Sequence, residues 1–133
     1  EKGCEWGNGE GCSNLGTLYD TGFDHPRMEK DNPTAAGWYE KSCEWGYGIG
    51  CSNLGTLYDT GFDRPGMEQD NPTAAGWYEK GCDLFDAVGC YNLGSLYDSD
   101  FASPGIVQDA QKAALWYARA CALGFSEACP TEE

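Results

Sequence analysis

Eight cysteines are the residues of this chain whose type and spacing most clearly indicate chemistry. They form Cys-x7-Cys pairs that recur every 39 residues: Cys4 and Cys12, Cys43 and Cys51, Cys82 and Cys90, and Cys121 and Cys129. Zinc sites favour closer cysteines and often include histidine, whereas the chain has one histidine, His25. The Cys-x-x-Cys spacing of redox motifs is absent. The pattern therefore favours four local disulfides over metal ligands or buried thiols.

Disulfides also constrain the compartment. Each bridge would close a short loop and stabilise the fold by about 2–3 kcal/mol, because it restricts the unfolded chain. Such bridges persist in oxidising surroundings, so the sequence predicts a secreted protein, extracellular or periplasmic. The formal net charge of −14 disfavours nucleic acid and anionic membrane surfaces, and no apolar run reaches transmembrane length. We therefore expect no nucleic-acid partner and no membrane insertion.

Residues for catalysis are not arranged in a recognisable way. No serine has a lysine three positions later, which a serine β-lactamase would need, and His25 is replaced by Arg64 in the second repeat. Paired carboxylates do recur, as Asp20 with Asp24 and Asp59 with Asp63. Since the third copy of Asp24 is Ala102, we interpret them as cap and loop residues. No catalytic residue and no cofactor is predicted.

Weak calcium binding by the acidic loops stays open, although no EF-hand spacing supports it. The residues that could take part are Asp20, Asp24, Glu29 and Asp31. No metal ligand is predicted from them.

Repetition extends through the whole chain. Residues 1–39 and 40–78 are identical at 33 of 39 positions, and 40–78 and 79–117 at 20. A period of this length is typical of a solenoid, in which each unit buries its apolar face against its neighbours. We predict one solenoid over residues 1–133, with a leading bridge loop, 1–11, and units at approximately 12–50, 51–89 and 90–129.

Each repeat is predicted to contain two helices, because apolar residues recur at three- and four-residue spacing. In the first repeat they are Cys12, Leu15, Leu18 and Tyr19, followed by Ala35, Ala36, Tyr39 and Cys43. Asn32 is the expected N-cap of the second helix, which should end near Gly46. No segment shows strand alternation. The predicted fold is all-α: an α/α superhelical solenoid of three helix-turn-helix repeats with one disulfide at each repeat boundary.

Glycine recurs inside the first helix of every repeat, at Gly16, Gly55 and Gly94. Glycine in a helix costs about 1 kcal/mol relative to alanine, so its recurrence predicts a close crossing of two helices. Gly37 and Gly76 of the second helices become Leu115 in the third repeat, so packing of the repeats does not require glycine there.

Two phrases carry a resemblance to a known family. N-L-G-x-L-Y stands at 14–19, 53–58 and 92–97, and A-A-x-W-Y at 35–39, 74–78 and 113–117. With the Cys-x7-Cys phase, they resemble the Sel1-like repeat (SLR) family, specifically its cysteine-rich, disulfide-bridged secreted branch, which is related to tetratricopeptide repeats. The resemblance implies a right-handed α/α superhelix with a concave surface for other proteins. Some cysteine-rich members are credited with penicillin binding or weak β-lactamase activity, which this sequence does not support.

The primary hypothesis is a non-enzymatic secreted scaffold for protein–protein interaction. Its candidate contact residues are the repeated aromatics Tyr19, Trp38, Tyr58, Trp77, Tyr97 and Trp116. A tryptophan at a fixed repeat position also has a structural interpretation, which is packing between neighbouring repeats.

Two alternatives remain. The chain could be a structural subunit that stacks head to tail into an extracellular filament through apolar end residues. The candidates for this contact are Leu15, Leu18, Leu115 and Leu123. A β-lactam-binding protein is the third hypothesis.

Overall fold

The computed structural model describes residues 9–21, 32–60, 69–98 and 105–129, with side chains throughout except at 18–21 and 32–33. These segments contain six α-helices, one 3₁₀ turn and no strand. The helices are α1 (Gly9–Thr21), α2 (Asn32–Glu44), α3 (Gly48–Thr60), α4 (Asn71–Asp83), α5 (Ala87–Tyr97) and α6 (Ala110–Ala122), and the 3₁₀ turn is Ser126–Ala128. The predicted all-α fold is confirmed.

The helices form a solenoid of three helix pairs, as predicted. Each helix packs on the next one along the chain, from α1 through α6. In addition, α1 contacts α3 and α3 contacts α5, whereas the second helices are not in comparable contact. The first helices therefore lie on the inner side of the stack and the second helices on the outer side. The unit boundaries at 12–50, 51–89 and 90–129 stay a prediction.

The first helices begin earlier than the sequence pattern indicates. The apolar pattern starts at Cys12 and its copies, but α3 begins at Gly48 and α5 at Ala87, three residues before Cys51 and Cys90. The bridging cysteine therefore lies in the first turns of its helix rather than at its start. The second helix ends as expected, because Gly46 adopts a left-handed φ of 83° just after α2.

The N-cap of the second helix lies one residue before the expected asparagine. In α4 the cap is Asp70, whose carboxylate accepts a hydrogen bond from the Thr73 amide at 3.2 Å. Asn71, the copy of Asn32, is the first helical residue and is buried. Its side-chain amide donates to Asp59 at 2.6 Å, which ties the start of α4 to the end of α3. The asparagine was misassigned because its polar group serves a tertiary contact.

Three predicted disulfides are present: Cys43–Cys51, Cys82–Cys90 and Cys121–Cys129. Their Cα–Cα distances are 4.7, 4.6 and 4.8 Å. Each joins the end of a second helix to the helical turn that follows. The predicted Cys4–Cys12 bridge lies outside the described residues, because Cys4 is not among them.

The core is a row of small clusters rather than one large core. Between α2 and α3 the buried residues are Ala35, Tyr39, Leu54 and Leu57. Their copies between α4 and α5 are Ala74, Tyr78, Leu93 and Leu96. Each repeat therefore buries its apolar residues against the next repeat, which is the principle of a solenoid.

The recurring glycines permit the predicted close crossing. A Cβ atom at Gly16, Gly55 or Gly94 would lie 2.7, 2.6 or 2.8 Å from the ring of the tyrosine on the partner helix. At Gly76, by contrast, a Cβ would have no neighbour within 4 Å. Glycine is thus required by packing at the first set of positions and not at Gly76.

We predict opposite effects for two glycine-to-alanine changes. Gly55→Ala should lower the free energy of unfolding by about 1–2 kcal/mol, since overpacking against Tyr78 outweighs the gain in helix propensity. Gly76→Ala, the matched control, should raise it by about 1 kcal/mol, because the methyl group meets open space. Urea denaturation of the non-reduced proteins measures both, and equal effects would contradict the packing role of Gly55.

Removal of one bridge should destabilise the fold without changing it. The double change Cys82→Ala and Cys90→Ala should lower the free energy of unfolding by about 2–3 kcal/mol, because the unfolded chain gains freedom. Urea denaturation with helix content followed by circular dichroism checks this, and an unchanged midpoint would refute it.

Candidate interaction surface

The carboxylates that could be imagined as an acid–base pair bind tyrosines instead. The Tyr78 hydroxyl donates to Asp59 Oδ2 at 3.0 Å, and the Tyr117 hydroxyl donates to Asp98 Oδ2 at 2.8 Å. Asp59 also accepts the Asn71 amide. These carboxylates therefore hold the end of each first helix against the second helix. Asp24 and Asp63 lie outside the described residues.

The surroundings of these tyrosines favour the protonated phenol. Burial raises the pKa of Tyr78 above its ordinary value, and the negative charge of Asp59 adds to the effect. Burial likewise raises the pKa of Tyr117 to about 12, with Asp98 contributing. Both hydroxyls therefore stay hydrogen-bond donors at physiological pH.

The repeated tryptophans are half-buried, and each is covered by a cation one helical turn later. The charged group lies 5.9 Å from the Trp38 ring for Lys41, 5.8 Å from Trp77 for Lys80 and 5.3 Å from Trp116 for Arg119. Such cation–π contacts contribute about 0.5–1 kcal/mol at exposed sites.

The other side of the tryptophans packs between repeats. Trp77 of α4 contacts the cluster that contains Tyr39 and Leu54, and Trp116 of α6 contacts the next cluster. Tyr58 and Tyr97 are half-buried against these clusters too. The predicted contact residues thus support the solenoid and expose only part of their rings. The side chain of Tyr19 lies outside the described residues.

A different aromatic residue is fully presented to solvent. Phe85 is 80% exposed and has a φ of 70°, and it is the sole described non-glycine residue with a positive φ. Its copies in the flanking repeats are Gly46 and Gly124, with φ of 83° and 103°. A left-handed conformation costs a residue with a Cβ about 1–2 kcal/mol. Phe85 therefore accepts strain without burying its ring.

Phe85 borders a shallow groove on the outer surface between α4 and α6, which we name the Phe85 groove. Its volume is about 200 Å³, and it is lined by Cys82, Asp83, Phe85, Arg119, Ala122 and Leu123. Arg119 donates to Asp83 at 3.4 Å and lies over Trp116, so its guanidinium is held in place. Leu123, 37% exposed, adds a second apolar residue beside Phe85.

Alignment of the repeats against one another contains the information that identifies Phe85. The residues at the end of the second helix and just after it are Cys-Glu-Trp-Gly at 43–46, Cys-Asp-Leu-Phe at 82–85 and Cys-Ala-Leu-Gly at 121–124. Phe85 stands at a position that is glycine at the other two boundaries. Recurrence selects residues that all repeats share, so it does not indicate Phe85.

The predicted stacking residues are not all brought together. Leu115 is 64% exposed on α6, Leu123 lies in the Phe85 groove, and Leu15 is half-buried on α1. The side chain of Leu18 lies outside the described residues.

Neither a metal cluster nor a membrane helix is found in the described segments. No group of three or more histidine, cysteine or acidic side chains could hold a metal ion there. In those same segments no helix is long and apolar enough to cross a membrane. The possible calcium residues at 20, 24, 29 and 31 lie outside the described side chains.

Comparison with known proteins now identifies the family. The Sel1 repeat model matches residues 9–47, 48–84 and 87–125. The chain belongs to the Sel1 repeat family. A search of curated protein sequences gave no match.

Solved structures agree with this assignment. Cysteine rich protein B of Helicobacter pylori is 30% identical, with a TM-score of 0.69 over 96% of this chain and 85% of its own. A Sel1 repeat protein of Oxalobacter formigenes is 28% identical, with a TM-score of 0.73 over 92% of this chain. The c5321 antigen of uropathogenic Escherichia coli, at 24% identity and a TM-score of 0.72, shares the SLR fold. The chain spans 46% and 24% of the lengths of the last two.

Sel1 repeat proteins are generally non-enzymatic scaffolds for protein–protein interaction. The three disulfides in the described part of the chain are typical of proteins from an oxidising compartment. The resemblance to the cysteine-rich branch is therefore confirmed.

We predict that the stability of the fold falls as pH rises from about 10 to about 12. The unfolded tyrosines lose their protons near pH 10, whereas Tyr117 in the folded protein has a pKa of about 12. The contribution of these buried phenols to the free energy of unfolding is therefore fully present below pH 10. It is lost as the pH rises through their pKa in the folded protein, which is about 12 for Tyr117. Absorbance of tyrosinate during alkaline titration measures this, and Tyr117→Phe should remove one late-titrating group. Titration of all tyrosines near pH 10 in the folded state would refute the prediction.

Proposed function

We propose that this chain is a secreted Sel1 repeat scaffold that binds a protein partner through the Phe85 groove. The observation that carries the proposal is the conformation of Phe85, which is strained and exposed where the flanking repeats have glycine. A residue in such a conformation does not stabilise its own fold, so a role in binding accounts for it.

The composition of the groove suits protein recognition. Aromatic residues and arginine are enriched among the residues that dominate binding energy, and Phe85 and Arg119 lie in one groove. Burial of a phenylalanine side chain contributes about 1.5–3 kcal/mol. The Arg119–Asp83 pair is exposed, so it contributes mainly by fixing the orientation of the guanidinium.

The partner that we propose presents an apolar side chain flanked by basic residues. The chain carries a net charge of −14, which attracts cationic surfaces and speeds their association. The contact with the partner would extend along the outer and inner faces of the solenoid over the exposed parts of the repeated aromatic residues. These are Trp38, Trp77, Trp116, Tyr58 and Tyr97.

We propose no catalytic or β-lactam-binding role. The tyrosine-bound Asp59 and Asp98 are engaged in the fold, and no described serine has a lysine at the required spacing. Secretion is proposed on the basis of the disulfides. The reducing cytosol would break them, and their contribution to the stability of the fold would be lost.

We expect Phe85→Gly to separate binding from stability. The change should raise the free energy of unfolding by about 1 kcal/mol, because glycine adopts a positive φ without strain. It should weaken binding of the partner by about tenfold or more, because the apolar anchor is lost. The partner is isolated with the wild-type protein, identified, and its affinity measured by calorimetry for each variant.

The matched control is Val107→Ser, which removes an apolar residue that is 86% exposed outside the groove. Its affinity should equal that of the wild type. Equal affinities for the wild type and Phe85→Gly would show that the groove is not the binding site.

Head-to-tail stacking of copies is the second function that we propose. The observation that favours it is the exposure of Tyr117: Tyr39 and Tyr78 are 2% and 1% exposed, whereas Tyr117 is half-buried. The third repeat thus presents a face that the other two repeats cover.

A further inference from the structure

The Phe85 groove is one end of a longer furrow between the outer helices α4 and α6. Arg119, Ala122 and Leu123 of α6 line the groove. Leu115 lies four residues before Arg119, so it stands one turn further along the same face of the helix. Leu115 is 64% exposed. The apolar surface that begins at Leu123 therefore continues along α6 beyond the groove.

The opposite wall of the furrow contains a glycine that the fold does not require. Asp83 of α4 lines the groove, and Gly76 lies seven residues earlier, two turns along the same face. A Cβ atom at Gly76 would have no neighbour within 4 Å, although glycine destabilises the middle of a helix. Its copy in α6 is Leu115, so this position accepts a large side chain. No contact within the described segments accounts for Gly76.

The furrow lies inside the stack of repeats. Helix α4 belongs to the middle repeat and packs on both α3 and α5. Gly76 is exposed even so, which shows that this face stays open when a helix pair lies on either side of it. The α4 wall is therefore accessible within a continuous solenoid.

A glycine on an exposed helix face permits the close approach of another chain. The solenoid uses this property in its interior, where the ring of Tyr78 occupies the space that a side chain at Gly55 would need. At Gly76 the equivalent space is open at the surface. The furrow thus combines exposed apolar side chains on the α6 wall with room for a partner's backbone on the α4 wall.

We infer that the furrow binds an amphipathic helix of the protein partner. An extended segment would find no strand edge to pair with, because the described segments contain only helices and a 3₁₀ turn. A helix forms its backbone hydrogen bonds internally and needs no such edge. Leu115 and Leu123 are eight residues apart, which is about 12 Å along α6. A helix docked along the furrow contacts both with apolar side chains two turns apart.

The charge of the furrow indicates that the docked helix is basic. Glu79 and Asp83 are exposed on the α4 wall, and the chain as a whole has a net charge of −14. Arg119 pairs with Asp83, and Glu79 lies one turn before it on the same wall. Lysine or arginine beside the apolar stripe of the partner helix faces these carboxylates. The inference rests on the Phe85 groove proposed above and specifies the conformation of its occupant.

A synthetic helix tests the furrow. The probe is a fluorescently labelled, alanine-based peptide of about 20 residues, which is long enough to be helical in isolation. It carries two leucines separated by two turns and lysines on one side of them. The control peptide is identical except for a central proline, which breaks the helix. In fluorescence anisotropy with the non-reduced protein, the probe should bind at least about tenfold more tightly than the control peptide.

Two pairs of variants locate the probe. Gly76→Leu fills the gap in the α4 wall, and its matched control, Gly37→Leu, makes the same change on α2, outside the furrow. Leu115→Ala removes an apolar anchor, and its control, Val88→Ala, truncates a residue that is 43% exposed on the inner helix α5. Gly76→Leu and Leu115→Ala should each weaken binding of the probe by about tenfold, and the controls by less than about threefold. Thermal unfolding shows that each variant folds.

The inference is overturned by equal affinity for the two peptides, by failure of the wild type to bind the probe, or by wild-type affinity in either Gly76→Leu or Leu115→Ala. Phe85→Gly, measured with the probe and with the isolated partner, reports on the groove separately. Loss of partner binding in Phe85→Gly, with wild-type affinity in both furrow variants, would keep the Phe85 groove as the binding site and refute the docked helix. Failure of the furrow is thereby distinguished from failure of the scaffold function.

Discussion

The contact between a tyrosine ring and a glycine sets the spacing of the two helices in every repeat. Tyr78 lies on Gly55 so closely that a Cβ atom would stand 2.6 Å from the ring, and the other repeats have the same pair. The ring can approach the first helix only because that helix lacks a side chain there. This approach places the tyrosine hydroxyl within reach of the carboxylate at the end of the same helix.

Other features follow from this spacing. The carboxylate of Asp59 holds both Tyr78 and the buried Asn71, so the start of α4 is fixed relative to the end of α3. The Asp70 amide also donates to the Tyr58 carbonyl at 2.7 Å. This hydrogen bond holds the residue before α4 beside the end of α3. A disulfide then fixes the step to the next repeat. A thin solenoid with small cores is thus held by polar and covalent contacts at both ends of each helix pair.

The sequence predicted those features that depend on periodic residues. The helix pairs, the three described bridges and the close crossing at Gly55 follow from spacing and recurrence. The N-cap was misassigned because Asn71 and Asp70 are both good capping residues. The choice between them depends on a contact of Asn71 with Asp59, which lies 12 residues earlier and on another helix. Phe85 was missed because recurrence selects structural residues. Trp77 illustrates this, since it recurs and packs between repeats.

In a repeat protein, then, the departures from the repeat carry the evidence for function. A position that is the same in all units meets the same neighbours in all of them, and packing explains it. Phe85 in a glycine position has no counterpart in the other units, and its exposed ring does not improve the packing of its own repeat. Phe85 lies at the boundary between the second and third repeats, where it borders the groove between α4 and α6.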